Sequence, residues 1–252
     1  LVSQFLSPLS NRRSDSWGGS LENRARILIE TIRRIRAAVR KEFAVSVKLN
    51  SADFQKGGFS DDDSATVALW LEQAGLDMIE VSGGNYEQPR MIDFTRKDPL
   101  EAAKRESTKR REAYFLDFVP KLRAKVTIPV MVTGGFRSVD AMRDAVANDG
   151  VDMIGIGRPM VIDPDAAKHI LSGAVSKLVS RDEDLVIGGG LLGPRSPISF
   201  LRDLNAWGAL GWYYEHIYSL ADGKKPNLAL SAFRALLAYD STEAKTAKAV
   251  IR

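Results

Sequence analysis

Two short stretches of the sequence combine glycines with an arginine, a combination suited to binding anions. One reads Thr133-Gly134-Gly135-Phe136-Arg137, and the other reads Gly155-Ile156-Gly157-Arg158. Glycine lets the backbone approach a ligand closely, and backbone N–H groups together with a guanidinium bind phosphate. In barrels of alternating strands and helices, the loops after the last two strands commonly form such a site. We therefore predict a phosphorylated ligand at these two stretches; the alternative is that their glycines only permit tight turns.

Two further residues are candidates for contact with a ligand. Lys48 stands between apolar Val47 and Leu49, so its side chain points to the opposite face of a predicted strand. A cation on an inward face is costly unless it meets an anion, which makes Lys48 a binding or catalytic candidate. The alternative is a lysine on an exposed edge. Tyr86 follows another predicted strand and is a candidate substrate contact, with packing of its loop as the alternative.

Several kinds of chemistry have no support in the sequence. The chain has no Cys, which excludes disulfides and thiolate nucleophiles and is typical of a reducing compartment such as the cytoplasm. The two histidines, His169 and His216, lack the spacing of a metal site, and aromatic packing explains the surroundings of His216. Neither a Gly-x-Ser-x-Gly element nor a phosphate loop ending in Gly-Lys-Ser/Thr occurs. We assign no catalytic residue and no metal from the sequence.

The formal net charge of +4 does not indicate a nucleic-acid partner. Most of the excess falls between Arg90 and Arg111, where acidic residues are interspersed and regular aromatic residues are missing, a pattern typical of a solvated surface. No apolar run approaches the roughly 20 residues needed to cross a bilayer, and the first ten residues do not read as a signal peptide. We predict a small-molecule ligand, and neither a nucleic-acid nor a membrane partner.

The elements that must position these residues alternate between helix and strand. Helices are predicted at Leu21–Val39 after an N-cap at Ser20, from Ser60 to Ala74, from Arg111 to Ala124 with a kink or division at Pro120, and from Ser138 to Gly150. Strands are predicted at Val45–Leu49, Met78–Val81, Ile128–Val132 and Asp152–Ile156. Such alternation requires crossover connections and a parallel sheet, either doubly wound or part of a (β/α) barrel. We predict one domain over residues 1–165 and a mostly helical extension over residues 166–252.

The first part of the chain resembles the old yellow enzyme family of FMN-dependent NAD(P)H oxidoreductases and ene-reductases. The resemblance rests on SQFLSPLSNRRSDSWGGSLENRARILIE, followed in order by VSVKLNSADF, IEVSGGNYE, VMVTGGFRS and IGIGRPMVIDPD. It implies an α/β fold of the TIM (β/α)8-barrel family, here the last four βα units and a C-terminal helical extension. The arginine-rich opening stretch is expected to be structural, a long loop held by ion pairs to the start of the next helix.

The resemblance also implies a cofactor, a reaction and site residues. It places Lys48 near the pyrimidine edge of FMN, where its charge would stabilise the anionic reduced flavin, and Gly134, Gly135, Gly157 and Arg158 around the FMN phosphate. The family reaction takes hydride from NAD(P)H to the flavin and then to the β-carbon of an activated alkene of the enone type, while a tyrosine supplies a proton.

The family's remaining catalytic residues precede the segment that this sequence resembles. They are a His with a second His or Asn, which hold the substrate carbonyl, and the proton-donating Tyr. The chain starts at Leu1 without an initiator Met, so we expect a truncated, C-terminal part of a longer protein. Four strands would leave open edges, which predicts pairing with a second copy, complementation by an N-terminal half, or rearrangement to an open sheet. The alternative function is a non-catalytic half-barrel that retains at most phosphate or FMN binding.

Overall fold

A parallel four-stranded sheet is the central element of the computed structural model, which describes residues 2–83, 113, 115–182 and 184–250. The strands are β1 (Ser46–Asn50), β2 (Met78–Ser82), β3 (Val130–Thr133) and β4 (Met153–Gly155). Their order in the sheet, β1-β2-β3-β4, is also their order in the chain, and every pair is parallel. A doubly wound sheet reverses its strand order at a switch point, so the sequential order favours the barrel arrangement.

The helices around this sheet begin where polar residues cap them. They are α1 (Val2–Leu6), α2 (Leu21–Ala38), α3 (Asp61–Gln73), α4 (Val119–Arg123) and α5 (Val139–Asn148). The side chains of Ser20, Ser60 and Ser138 accept hydrogen bonds from the backbone N–H groups at the starts of α2, α3 and α5, which confirms the three predicted caps. A short 3-10 turn, Leu116–Phe118, precedes α4, and Pro120 lies in the first turn of α4. The predicted division of this helix at Pro120 thus takes the form of two short pieces.

The two faces of the sheet differ in burial. Ile79, Val81, Val130 and Val132 are buried, as expected for the face that the crossover helices cover. On the other face, register places Lys48 beside Glu80, Glu80 beside Met131, and Met131 beside Met153. None of those four residues is buried.

The turn before β2 is held by an arginine clamp, meaning an arginine that binds both a glycine carbonyl and an aspartate two residues further on. Arg36, near the end of α2, donates from Nε to the Gly75 carbonyl at 2.9 Å and forms an ion pair with Asp77. Asp77 Oδ2 also accepts the Val45 backbone N–H at 2.7 Å, just before β1. Gly75 has φ of 95°, a conformation that suits glycine. The clamp thereby joins α2, β1 and β2 at the N-terminal ends of the strands.

A second clamp repeats this arrangement before β4. Arg123 of α4 donates from Nε to the Gly150 carbonyl at 2.8 Å and pairs with Asp152, whose Oδ2 accepts the Val130 N–H at 2.7 Å. Gly150 has φ of 74°. The sequences Gly75-Leu-Asp-Met-Ile and Gly150-Val-Asp-Met-Ile show the same design. The βα units are therefore fastened in pairs by one repeated motif.

The described residues form two compact units, one over residues 2–83, 113 and 115–155 and another over residues 156–182 and 184–250. The second contains α6 (Arg158–Ile162), α7 (Ala166–Leu171), a 3-10 turn at Gly190–Leu192, α8 (Ser199–Ala221) and α9 (Ala232–Val250). Its core consists of Leu185, Ala209, Trp212, Tyr213 and Ala235. The predicted domain boundary after residue 165 stays a prediction. Across the described residues, no helix is both long and apolar enough to cross a membrane.

Candidate functional site

The end of β3 carries a cavity-forming arrangement in the first unit. Gly134 and Gly135 follow Thr133 with φ of 125° and 89°, backbone conformations that side chains rarely adopt. The Thr133 hydroxyl is buried and has no hydrogen-bond partner among the residues that the structure describes. Gly155 lies directly opposite Thr133 in the register, and a Cβ at that position would overlap Thr133 Oγ1. A buried hydroxyl donor beside glycine backbone fits a phosphate oxygen.

The predicted residues of the second stretch lie in the second unit. Gly157 precedes α6, and an added Cβ there would meet nothing within 4 Å, so neighbouring atoms do not demand glycine at this position. Arg158 is the first residue of α6, and its Nη1 lies 2.7 Å from Oδ1 of Asp182. Since Gly134 and Gly135 belong to the first unit, the two predicted stretches are described separately here. Sequence reasoning did not identify Asp182 as a partner of Arg158.

Lys48 has an acidic partner on the neighbouring strand. Its Nζ lies 2.8 Å from Glu80 Oε1, and the two residues are register partners in β1 and β2. The Lys48 side chain is 48% exposed and that of Glu80 is 22% exposed. The sequence-based argument required an anion for an inward lysine, and Glu80 supplies one. The pattern Val-Lys-Leu in β1 and Ile-Glu-Val in β2 holds the signal for this pair, but only with the register known.

Other residues considered in the sequence take structural positions or are not described. Tyr86 and the charged segment from Arg90 to Arg111 lie outside the described residues. His216 is buried and stacks on Trp212, with ring centroids 3.8 Å apart, and its Nδ1 lies 2.6 Å from the Trp212 carbonyl. His169 Nδ1 contacts Asp163 at 2.7 Å. Within the described ranges, no cluster of His, Asp and Glu could hold a metal ion.

The arginine-rich opening stretch is held mainly by hydrogen bonds to backbone carbonyls. Arg24 is buried and donates to the carbonyls of Leu6 and Gly19, each at 2.7 Å. Arg26 donates to the Ser16 carbonyl at 2.7 Å. An ion pair also forms between Arg24 and Asp63 at 3.6 Å. The expected structural role agrees with these contacts, although carbonyl oxygens supply most of the arginine partners.

Comparison with known proteins gives one family for this stretch of chain. The model of the NADH:flavin oxidoreductase / NADH oxidase family matches residues 1–176. An NADH-dependent flavin oxidoreductase of Neonectria sp. (strain DH2) is 41% identical over 165 residues, which are 65% of this chain and 21% of that protein. One of Talaromyces variabilis is 38% identical over 172 residues, covering 68% of this chain and 41% of that protein. The chain thus spans less than half the length of these two relatives.

Solved structures agree on the fold of the same region. A 2-naphthoyl-CoA reductase has a TM-score of 0.57 at 29% identity, covering 69% of this chain and 24% of its own. The old yellow enzyme homologue of Zymomonas mobilis has a TM-score of 0.50 at 19% identity, covering 72% of this chain and 46% of its own. The latter likeness concerns the fold alone. Together with the sequential parallel sheet, it confirms the predicted fold class, four βα units of the TIM-barrel type.

Proposed function

Because the chain belongs to the NADH:flavin oxidoreductase / NADH oxidase family, we propose that it binds FMN and takes part in NAD(P)H-dependent reduction of an activated alkene. FMN and NAD(P)H are the cofactors that this membership indicates. Bound FMN would supply hydride transfer between NAD(P)H and the substrate. The proposed contacts of FMN are Lys48, Gly134, Gly135, Gly157 and Arg158, and Thr133 is now added to them.

The observation that carries this proposal is the Thr133 hydroxyl, buried without a partner beside two glycines of positive φ. A buried polar atom without a hydrogen bond costs about 1–3 kcal/mol, so such an atom indicates a ligand. In the proposed site, Thr133 Oγ1 and the backbone N–H groups of Gly134 and Gly135 donate to phosphate oxygens. Arg158 contributes the positive charge that a phosphate dianion requires.

Lys48 is proposed to hold a positive charge at the edge of the flavin. Its ion pair with Glu80 is half exposed, and pairs of this kind are worth about 0–1 kcal/mol. The ammonium group can therefore turn from Glu80 to a ligand at little cost. The same contact fits the alternative function, a non-catalytic half-barrel that retains FMN or phosphate binding only.

The partner proposed for the sheet is a second copy of this chain or an N-terminal half-barrel. Within the described residues, β1 and β4 each have a strand neighbour on one side only. Their outer edges and the face that carries Met131 and Met153 are not covered as in a closed barrel. A cytoplasmic location and an enone-type substrate belong to the same proposal.

The first experiment is to record the visible absorption spectrum of the chain after adding FMN and removing the excess. We expect a retained flavin band, lost in Arg158→Gln and weakened in Thr133→Val and Lys48→Met. Thr31→Val is the matched control, because its hydroxyl only donates to the Ile27 carbonyl on the surface of α2. If wild-type chain retains no flavin, the FMN-binding proposal is wrong for this chain.

A second measurement separates the two candidate functions. Chain that retains FMN is mixed with NADPH, and bleaching of the flavin band is followed before and after addition of an enone. Bleaching and recovery support the oxidoreductase. Retained flavin that NADPH does not bleach supports the non-catalytic half-barrel.

A further inference from the structure

The Arg158 guanidinium is held by a carboxylate from a part of the chain that the family model does not match. Asp182 lies beyond residue 176, where the match ends. Its Oδ1 is 2.7 Å from Arg158 Nη1, and its side chain is only 14% exposed. An ion pair this sheltered restrains an arginine far more than a surface pair does.

Asp182 is itself oriented by two hydroxyl groups. Tyr213 donates from its hydroxyl to Oδ1 at 2.8 Å, and Ser180 donates from Oγ to Oδ2 at 2.9 Å. Tyr213 is buried and meets the edge of Trp212 at a ring-centroid distance of 5.1 Å. Asp182 therefore has a fixed orientation, set by the core of the second unit.

The turn that carries Asp182 is also anchored. The N–H groups of Asp184 and Leu185 both donate to the Arg181 carbonyl, at 3.0 and 3.1 Å. Leu185 is buried in the same core as Tyr213. Backbone and side chain together fix where the carboxylate meets Arg158.

We propose that Asp182, oriented by Tyr213, is a positioning residue that holds the Arg158 guanidinium ready for the phosphate of FMN. The ion pair engages Nη1, and the guanidinium carries further donors at Nε and Nη2 for a second anion. A restrained arginine loses less conformational freedom when the phosphate binds than a free one does. This inference rests on the proposed binding of FMN phosphate by Arg158.

The charge of Asp182 acts in the opposite direction, since a carboxylate near the arginine repels the phosphate. Two substitutions separate orientation from charge. Asp182→Asn removes the charge and weakens the hold on Arg158. Tyr213→Phe keeps every charge and removes only the hydroxyl that orients Oδ1.

Binding of FMN and of riboflavin, which lacks the phosphate, is measured by flavin fluorescence for the full chain and each variant. We expect Asp182→Asn to weaken FMN binding about tenfold, or ~1.4 kcal/mol, and Tyr213→Phe to weaken it about threefold, with riboflavin binding unchanged. Asp184→Asn and Tyr214→Phe are the matched controls, because Asp184 pairs with Arg181 and Tyr214 packs on Tyr239. Unchanged or tighter FMN binding in Asp182→Asn would overturn the proposal, as would equal losses for FMN and riboflavin.

A second readout does not depend on flavin. Rotation of the Arg158 guanidinium about its Nε–Cζ bond is followed by nitrogen NMR, with the signal assigned by its loss in Arg158→Lys. We expect slow rotation in the wild-type chain and fast rotation in Asp182→Asn. Equally fast rotation in both would refute the positioning role, whereas slow rotation without preference for FMN over riboflavin would refute the proposed phosphate contact alone.

Discussion

Removing the aspartate of either arginine clamp should destabilise the chain by the same amount. In Asp77→Ala, the Val45 N–H loses a carboxylate acceptor at 2.7 Å, and in Asp152→Ala the Val130 N–H loses one at 2.7 Å. A hydrogen bond to a charged group contributes about 1.5–3 kcal/mol. The ion pairs with Arg36 and Arg123 add about 0–1 kcal/mol, because Asp77 and Asp152 are 46% and 50% exposed.

We therefore expect each variant to lose about 2–3 kcal/mol of unfolding free energy, and the double variant to lose the sum within ~0.5 kcal/mol, since the clamps share no residue. The assay is urea unfolding followed by circular dichroism, at low and high salt. Most of the loss should persist at high salt, since the hydrogen bond to the backbone dominates. Glu30→Ala is the control, because Glu30 only forms a surface pair with Arg33 and should cost less than about 0.5 kcal/mol. A loss below about 0.5 kcal/mol in either clamp variant, or a difference above about 1 kcal/mol between them, would show that the repeated geometry does not carry equal stabilisation.

Two further predictions concern packing and pH. Gly155→Ala should lower stability by about 1–3 kcal/mol, measured as a shift of the thermal midpoint, because its Cβ would overlap Thr133 Oγ1, whereas Gly157→Ala, with nothing within 4 Å, should not; equal midpoints would contradict the predicted overlap. The pKa of Asp77 lies below its ordinary value of 3.8, chiefly because of the Val45 N–H and further because of Arg36, with burial opposing both. A lowered pKa in the folded state stabilises the chain above the unfolded-state value, so the stability difference between wild type and Asp77→Asn should be constant above about pH 5 and shrink as the pH falls through the folded pKa. A difference that grows in acid would refute this sign.

Local signals in the sequence located the helix starts well. Ser20, Ser60 and Ser138 each precede a helix by one residue, because a cap depends on a hydroxyl and the next few N–H groups only. The parallel sheet also followed from the alternation of helices and strands. The strand ends shifted by one or two residues, since ladder partners determine them.

The contacts that define the candidate site depended on tertiary structure. Glu80 could be assigned to Lys48 only through the register of β1 and β2. Thr133 reads in the sequence as an ordinary strand residue, and its unpartnered hydroxyl follows from the approach of Gly155 across the sheet. Asp182 lies 24 positions from Arg158, in a turn without a recognised motif.

The two arginine clamps divide the sheet into modules. The first closes within residues 36–77 and the second within residues 123–152, so neither links β2 to β3. At this seam, Glu72 of α3 accepts the N–H groups of Thr127 and Ile128 instead, at 2.9 and 3.1 Å. The connection between the modules contains the most charged stretch of the sequence, from Arg90 to Arg111. Additional chain inserted there leaves both fastenings intact, which makes the seam the place where this architecture can lengthen without loosening either module.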